Sequence, residues 1–470
     1  MRVLMSNDRS QSQLTRRAFV HLSALNALAV MACRKVPTPN VVSALANSVA
    51  PKNFGPLVIN LDAPLELPAG FHCAVVQQFH ELMSCGNRMP AQPDGMTCHV
   101  DEHGQYVLLR NHEMGDGRWM SKPGRALPTN YFRDGTHPEE AYDKRMFGGV
   151  TRVVLHPEKL LDVIRSGDAR PAVVSSNMVL TGTQYNCSGG RVDEGWITCE
   201  ESDHPDHGYA FLTKIEDDVL VDATQRRITS WGRMKREGVS LEPNTGFVYM
   251  TEDHKNGRLY RFVPDDSTQP MGSGTLEALK IDGTLDTDPE TPLTEGQSWS
   301  TSWVTIADPQ AGQRPCREQG EALGASRFNR CEGSVIVGDS LWFIASTAGP
   351  VGAGQIFRLD LRENILHLEV QVTDRSTLSM PDNVTLTPWG DLLMAEDNYN
   401  SGGGATHQYL RCLRPDGSIY DFARNPHNST DDCGAELTGP CFSPDGTVLF
   451  VNIQAPVGAT VAITGPWDQV

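Results

Sequence analysis

The sequence has no apolar run long enough to cross a bilayer, and it is short of basic charge. Its most hydrophobic stretch, FVHLSALNALAVMA, covers residues 19–32, well under the ~20 residues that a spanning helix needs. Lys and Arg number 40 against 58 Asp and Glu, a formal net charge of -18. Binding to nucleic acid or to an anionic membrane requires clustered Lys and Arg, so this deficit argues against both, whereas an acidic protein can hold cations. Aromatic residues are only 7% of the chain, and past residue 50 no long amphipathic-helix pattern appears. Instead there are 43 Gly, 30 Pro and many short apolar runs bounded by Gly, Pro, Asn or Asp, the composition of an all-β protein. At 470 residues, length alone allows one large domain or two or three smaller ones.

Residues 1–50 read separately, as a twin-arginine export signal and linker. Thr15-Arg16-Arg17-Ala18-Phe19 precedes the apolar stretch, and polar, Pro-containing sequence follows, which is the layout of an export signal. Ala44-Leu45-Ala46 fits small-residue cleavage, while Val30-Met31-Ala32-Cys33 resembles a lipoprotein box, so a cleaved form and a lipid anchor at Cys33 both stay open. Residues 51–470 read as a single domain, periplasmic or extracellular. Disulfides persist in those compartments, and of the eleven cysteines, Cys73 with Cys85 and Cys412 with Cys433 are plausible local bridges.

The domain contains a repeat. Six segments open with a polar lead-in containing Gly or Asn, pass through a short strand and a tight turn, and enter a second strand rich in β-formers. They are PDGMTCHVDEHGQYVLLRNHE from Pro93, NCSGGRVDEGWITCEE from Asn186, REGVSLEPNTGFVYMTED from Arg236, CEGSVIVGDSLWFIAST from Cys331, PDNVTLTPWGDLLMAED from Pro381 and GPCFSPDGTVLFVN from Gly439. Further strands follow several of them, as in GRLYRFVPD and GQIFRLDL. Recurring antiparallel hairpins without helical partners predict a six-bladed β-propeller. The competing fold, a β-sandwich, would need long alternating strands without this period.

In a propeller the first strand of each blade lies nearest the axis, so the residues at its start face one shared funnel. Those residues are Asp94, Cys187, Glu237, Glu332 and Asp382. The second strands end in Glu113, Glu200-Glu201, Glu252-Asp253 and Glu396-Asp397, and antiparallel pairing returns some of these ends to the same rim. Taken singly, each has a duller reading: an acid beside Gly is turn chemistry, a buried thiol behaves as a small hydrophobe, and His112 and Cys199 read as core residues. Taken together, converging carboxylates demand positive charge. Carboxylates suit hard cations and a thiolate suits a transition metal, so Cys187 among acids points to a mixed centre. Arg330, two residues before Glu332, is placed to capture a phosphate or carboxylate.

NCSGG, TCEE, KREG, RCEG and PDN, in that order from about Gly70 to the C-terminus, resemble the PhoX-type exported alkaline phosphatases. The resemblance implies a six-bladed propeller with a central Fe3+ and Ca2+ site that hydrolyses phosphate monoesters, and diesters with them, to scavenge phosphate. It implies metal ligation by Cys187, Glu200, Glu201, Glu237, Glu332 and Asp382, with Arg330 binding phosphate. The expected protein is a monomer acting on small phosphate esters, with no nucleic-acid partner and no stable membrane span. Two rivals remain at this stage: a calcium-dependent lactonase-like propeller, which needs no thiolate, and a non-catalytic binding propeller.

Overall fold

The computed structural model describes residues 54–116, 131–283, 285, 287, 293–398, 407–426, 436–455 and 458–468. The export segment and Cys433 fall outside the described residues. No described helix is long and apolar enough to cross a membrane. The regular secondary structure of the described residues is almost wholly β, with two short α-helices, Pro157–Val163 and Cys316–Ala322.

The six expected hairpins are all present. Their first strands are Pro93–Val100, Asn186–Val192, Arg236–Leu241, Cys331–Val337, Pro381–Leu386 and Leu437–Phe442. These strands pack side by side in chain order, and Leu437–Phe442 meets Pro93–Val100 to close the ring. Each opens an antiparallel run that proceeds outward, so the arrangement is an all-β propeller. The ring is fastened by His72–Gln78, which pairs with Ala459–Thr464 and completes the last sheet from the other end of the domain.

The runs do not form six separate sheets. Among the described residues, four sheets have four strands and one has nine. Ser298–Thr305 pairs with Gly274–Ile281 on one side and with Ile365–Gln371 on the other, which joins the third and fourth runs at their outer edges. The other neighbouring sheets are held chiefly by side-chain packing between their faces. One apolar cluster sets Ile197 and Ala210 against Met250 and Phe262, and another sets Val76 and Phe450 against Leu108 and Val153. At about 1.5–3 kcal/mol per fully buried large apolar side chain, these clusters keep the sheets radial. Phe54, Phe71, Phe422 and Trp467 form an aromatic nest beneath the closing sheet.

One local irregularity recurs in every first strand. The register slips between Pro93 and Met96, Asn186 and Gly189, Arg236 and Val239, Cys331 and Ser334, Pro381 and Val384, and Thr438 and Cys441. A β-bulge adds a residue and re-aims the side chain it carries. The residues so displaced begin with Asp94, Cys187, Glu237, Glu332, Asp382 and Gly439. Small residues behind the bulges let adjacent strands meet: a Cβ on Gly95 would lie 2.7 Å from the Cys187 carbonyl, and one on Gly333 would lie 2.5 Å from that of Asp382.

Cys73 and Cys85 do not form the expected bridge. Cys73 sits in the closing strand with its thiol directed to the Leu65 carbonyl at 3.8 Å, whereas Cys85 is exposed on a turn.

Candidate metal centre

The six bulges build one floor of the site and the ends of the second strands build its wall. In every run the residue leaving the second strand donates its amide to the carbonyl of a residue leading into the first. The pairs are Glu113 to Gln92, Glu201 to Tyr185, Asp253 to Lys235, Ser346 to Arg330, Asp397 to Met380 and Gln454 to Glu436, at 2.8–3.0 Å. This repeated clamp places five carboxyl- or thiol-bearing bulge residues and four second-strand acids, Glu113, Glu201, Asp253 and Asp397, in one neighbourhood. Gly439, the sixth bulge position, contributes no donor.

Among the described residues, three groups of ligating atoms lie close enough to share a cation: Glu113 with Cys187 and Glu201, Asp94 with Glu113 and Glu436, and Glu237 with Glu332 and Asp382, the atoms in each group lying within 4.8 Å of one another. Of the expected ligands, the structure therefore brings together Cys187, Glu201, Glu237, Glu332 and Asp382. It does not bring in Glu200. The carboxylate of Glu200 accepts from the amides of Gln184, Gly208 and Tyr209 at 2.9, 2.8 and 3.1 Å and hydrogen-bonds His207 Nδ1 at 2.7 Å.

Strand alternation explains the difference. Neighbouring residues on a strand face opposite ways, so in each acidic doublet the first member locks its own sheet and the second faces the ring. Glu252 accepts from Tyr260 and Arg317 at 2.7 and 3.0 Å, and Glu396 accepts from the amides of Ser379 and Tyr409. Asp253 and Asp397, the second members, both reach Arg330. His112 is likewise a core residue, held between the Ala91 carbonyl and Thr151 Oγ1, and Cys199 is fully buried.

The acids are far from their ordinary protonation range. Burial first and mutual repulsion second push Glu113, Glu201 and Asp382 up to about 8, and push Asp94 and Glu237 well above the usual carboxylate values. Burial, then Asp94 and Glu237, push the Cys187 thiol well above its usual value. Burial also raises Glu332, against the pull of Arg330. Asp253 moves the other way. Burial opposes its charge, yet Arg330 and Lys235 hold it down at about 2. Arg330 donates from Nε to Asp253 at 2.9 Å and approaches Glu332 at 2.9 Å and Asp397 at 3.7 Å. Its backbone is left-handed, with φ +53°, a conformation that costs a non-glycine residue energy and is retained where the surroundings impose it.

Glu237 shows that the residues fit a metal. Its carboxyl group is fully buried and neither oxygen has a hydrogen-bond partner. A buried carboxylate without a partner is costly, and a cation shared with Glu332 and Asp382 supplies the missing interaction. The donor chemistry agrees, since oxygen ligands suit hard ions and a thiolate suits a transition metal.

Sequence reasoning set Asp94 at the funnel and Glu113 at its rim without counting either as a ligand, and it left Glu436 and Lys235 out. The position of Asp94 at a first-strand start was the available signal. Glu436 comes from the far end of the ring and carried none.

A closed all-β ring with an acidic, thiol-bearing funnel defines a metallo-propeller. The chain belongs to the alkaline phosphatase PhoX family, whose model matches residues 52–457. Among solved structures it is similar to Pseudomonas fluorescens PhoX in complex with vanadate, a transition state analogue. The identity is 18%, with 86% of this chain and 96% of that chain covered and a TM-score of 0.59. A gluconolactonase from Xanthomonas campestris matches at 10% identity over 88% of this chain and 99% of its own, with a TM-score of 0.40. Regucalcin from Agrobacterium tumefaciens, a calcium-binding protein, matches at 10% identity over 83% and 96%, with a TM-score of 0.36. The last two superpose too loosely to bear on chemistry. No curated protein matches the chain.

Proposed function

We propose that this chain is a metal-dependent phosphoester hydrolase whose centre is held by Cys187, Glu201, Glu237, Glu332 and Asp382, with Asp94, Glu113 and Glu436 completing it. The observation that carries the reading is the unpartnered carboxylate of Glu237 inside a ring of acids. Membership of the alkaline phosphatase family supports it. Fe3+ and Ca2+ are the ions proposed, with iron at Cys187. When bound, they supply the positive charge that engages phosphoryl oxygens and offsets charge developing in the transition state.

The chain's own groups do the positioning. Arg330 keeps its charge because Asp253, Glu332 and Asp397 surround it, and a guanidinium offers paired N–H groups that match two phosphoryl oxygens. Asp253, ionised and bonded to Arg330 Nε, fixes the direction of that fork. Phosphate monoesters are the substrates proposed, and diesters with them. A calcium lactonase has no use for the thiol, and a binding module has no use for a carboxylate buried without a partner.

EGTA treatment is expected to abolish phosphate release and added calcium to restore it, with iron per chain unchanged, because hard, labile calcium exchanges faster than a thiolate-held ferric ion. Full activity in metal-stripped protein would sink the reading. Export is a separate proposal, motivated by Arg16-Arg17 ahead of an apolar stretch. Replacing both arginines by Lys should retain the protein in the cytoplasm, since the arginine pair itself is the signal, and fractionation that finds the variant exported would refute it.

A further inference from the structure

Lys235 and Arg330 occupy the same position in neighbouring runs. Each stands two residues ahead of a bulge carboxylate, Glu237 and Glu332 respectively. Each accepts at its carbonyl from the residue leaving the second strand, Asp253 for Lys235 and Ser346 for Arg330. Both side chains also converge on Asp253: Arg330 on its carboxylate at 2.9 and 3.3 Å, Lys235 on its carbonyl at 3.3 Å. The other four lead-in positions hold Gln92, Tyr185, Met380 and Glu436, so the cations at this level stand side by side in two adjacent runs. The side chains of Lys235 and Arg330 are 27% and 22% exposed, against 1% for Glu332. Both cations are more exposed than the bulge carboxylates Glu237 and Glu332, at 0% and 1%.

We propose that Lys235 is a second phosphate-positioning residue, which with Arg330 holds the non-bridging oxygens of the phosphoryl group over the metal centre. This inference rests on the phosphoesterase reading above. An ammonium has three N–H donors. Two of them are engaged in the structure, by the Glu201 carboxylate and the Asp253 carbonyl, and the third remains for a phosphate oxygen. The division of labour suits the two side chains. Arg330 supplies a planar fork with a fixed direction, and Lys235 supplies a compact charge that adjusts to the oxygen left over.

The test uses metal-loaded wild type, Lys235→Met and Lys235→Arg. Calorimetry reads the binding of inorganic phosphate, kinetics reads KM and kcat on a phosphomonoester, and elemental analysis reads iron and calcium per chain. Lys235→Met should weaken phosphate binding and raise KM by about ten- to a hundredfold, the range for losing one charge-assisted hydrogen bond, with metals unchanged. Lys235→Arg should recover most of the loss. Unchanged phosphate binding in Lys235→Met overturns the proposal. So does a loss of metal that accompanies the weakened binding, because the ammonium would then serve only to hold Glu201. Wild type that binds phosphate without hydrolysing the ester would refute the phosphoesterase reading alone, and the calorimetric comparison would still decide the role of Lys235. Wild type that binds no phosphate overturns both.

Discussion

Arg330→Ala should lower phosphate-ester turnover by two to three powers of ten while iron and calcium remain in place. A positioned donor opposite developing charge is worth roughly 2–4 kcal/mol, and about 1.4 kcal/mol is a factor of ten in rate. The structure adds a cost beyond the lost contact. Arg330 and Lys235 hold Asp253 ionised, so without the guanidinium the Asp253 carboxyl moves upward toward the range of its neighbours. Arg330→Lys separates the two effects: it keeps a charge beside Asp253 but loses the two-point contact that orients the side chain, and it should recover only part of the rate. The measurements are steady-state kinetics and metal per chain on both variants. Wild-type turnover in Arg330→Ala would reduce this residue to an ion-pair partner of Asp253.

Cys187→Ser should act on the metal and only through it on the rate. The thiol lies in one group with Glu113 and Glu201, and burial together with Asp94 and Glu237 keeps it protonated when no cation is present. Binding a metal removes that proton, which couples affinity to the ligand's identity. A hydroxyl is a poor replacement for a soft ligand. Changes to outer-shell partners already cost about ten- to a hundredfold in metal affinity, so loss of a direct ligand should cost at least the upper figure. Iron per chain should fall, the thiolate-to-ferric charge-transfer colour should bleach, and activity should fall in proportion to iron. Full iron and full colour in Cys187→Ser would make the thiol structural.

How much of this was legible in the sequence follows from the range of the forces involved. The hairpins were readable because strand and turn preferences are local: PDG, NTG and GDS turns sit between short β-forming runs. The bulge residues were readable because each opens such a run. What escaped depended on register or on distant pairing. Deciding between Glu200 and Glu201 requires knowing which way the strand faces, and a shift of one residue reverses the answer. Lys235 precedes the strand that carries Glu237, yet it meets Glu201 and Asp253 only after two runs have packed together. The joining strand Ser298–Thr305 finds Ile365–Gln371 across more than a complete hairpin, and nothing in SWSTSWVT announces that partner.

The fastening strand has a consequence for the order of events in folding. His72–Gln78 pairs with Ala459–Thr464, a contact between the two ends of the domain, and Glu436 stands with Asp94 across the same junction. Contacts so distant in sequence form late, because the entropy of closing the loop is met before the contact repays it. The group of Asp94, Glu113 and Glu436 therefore exists only after the C-terminal strands have been synthesised and docked. A nascent chain can pack its early hairpins but cannot assemble that group, and a cation that required it would be held only once the ring is complete.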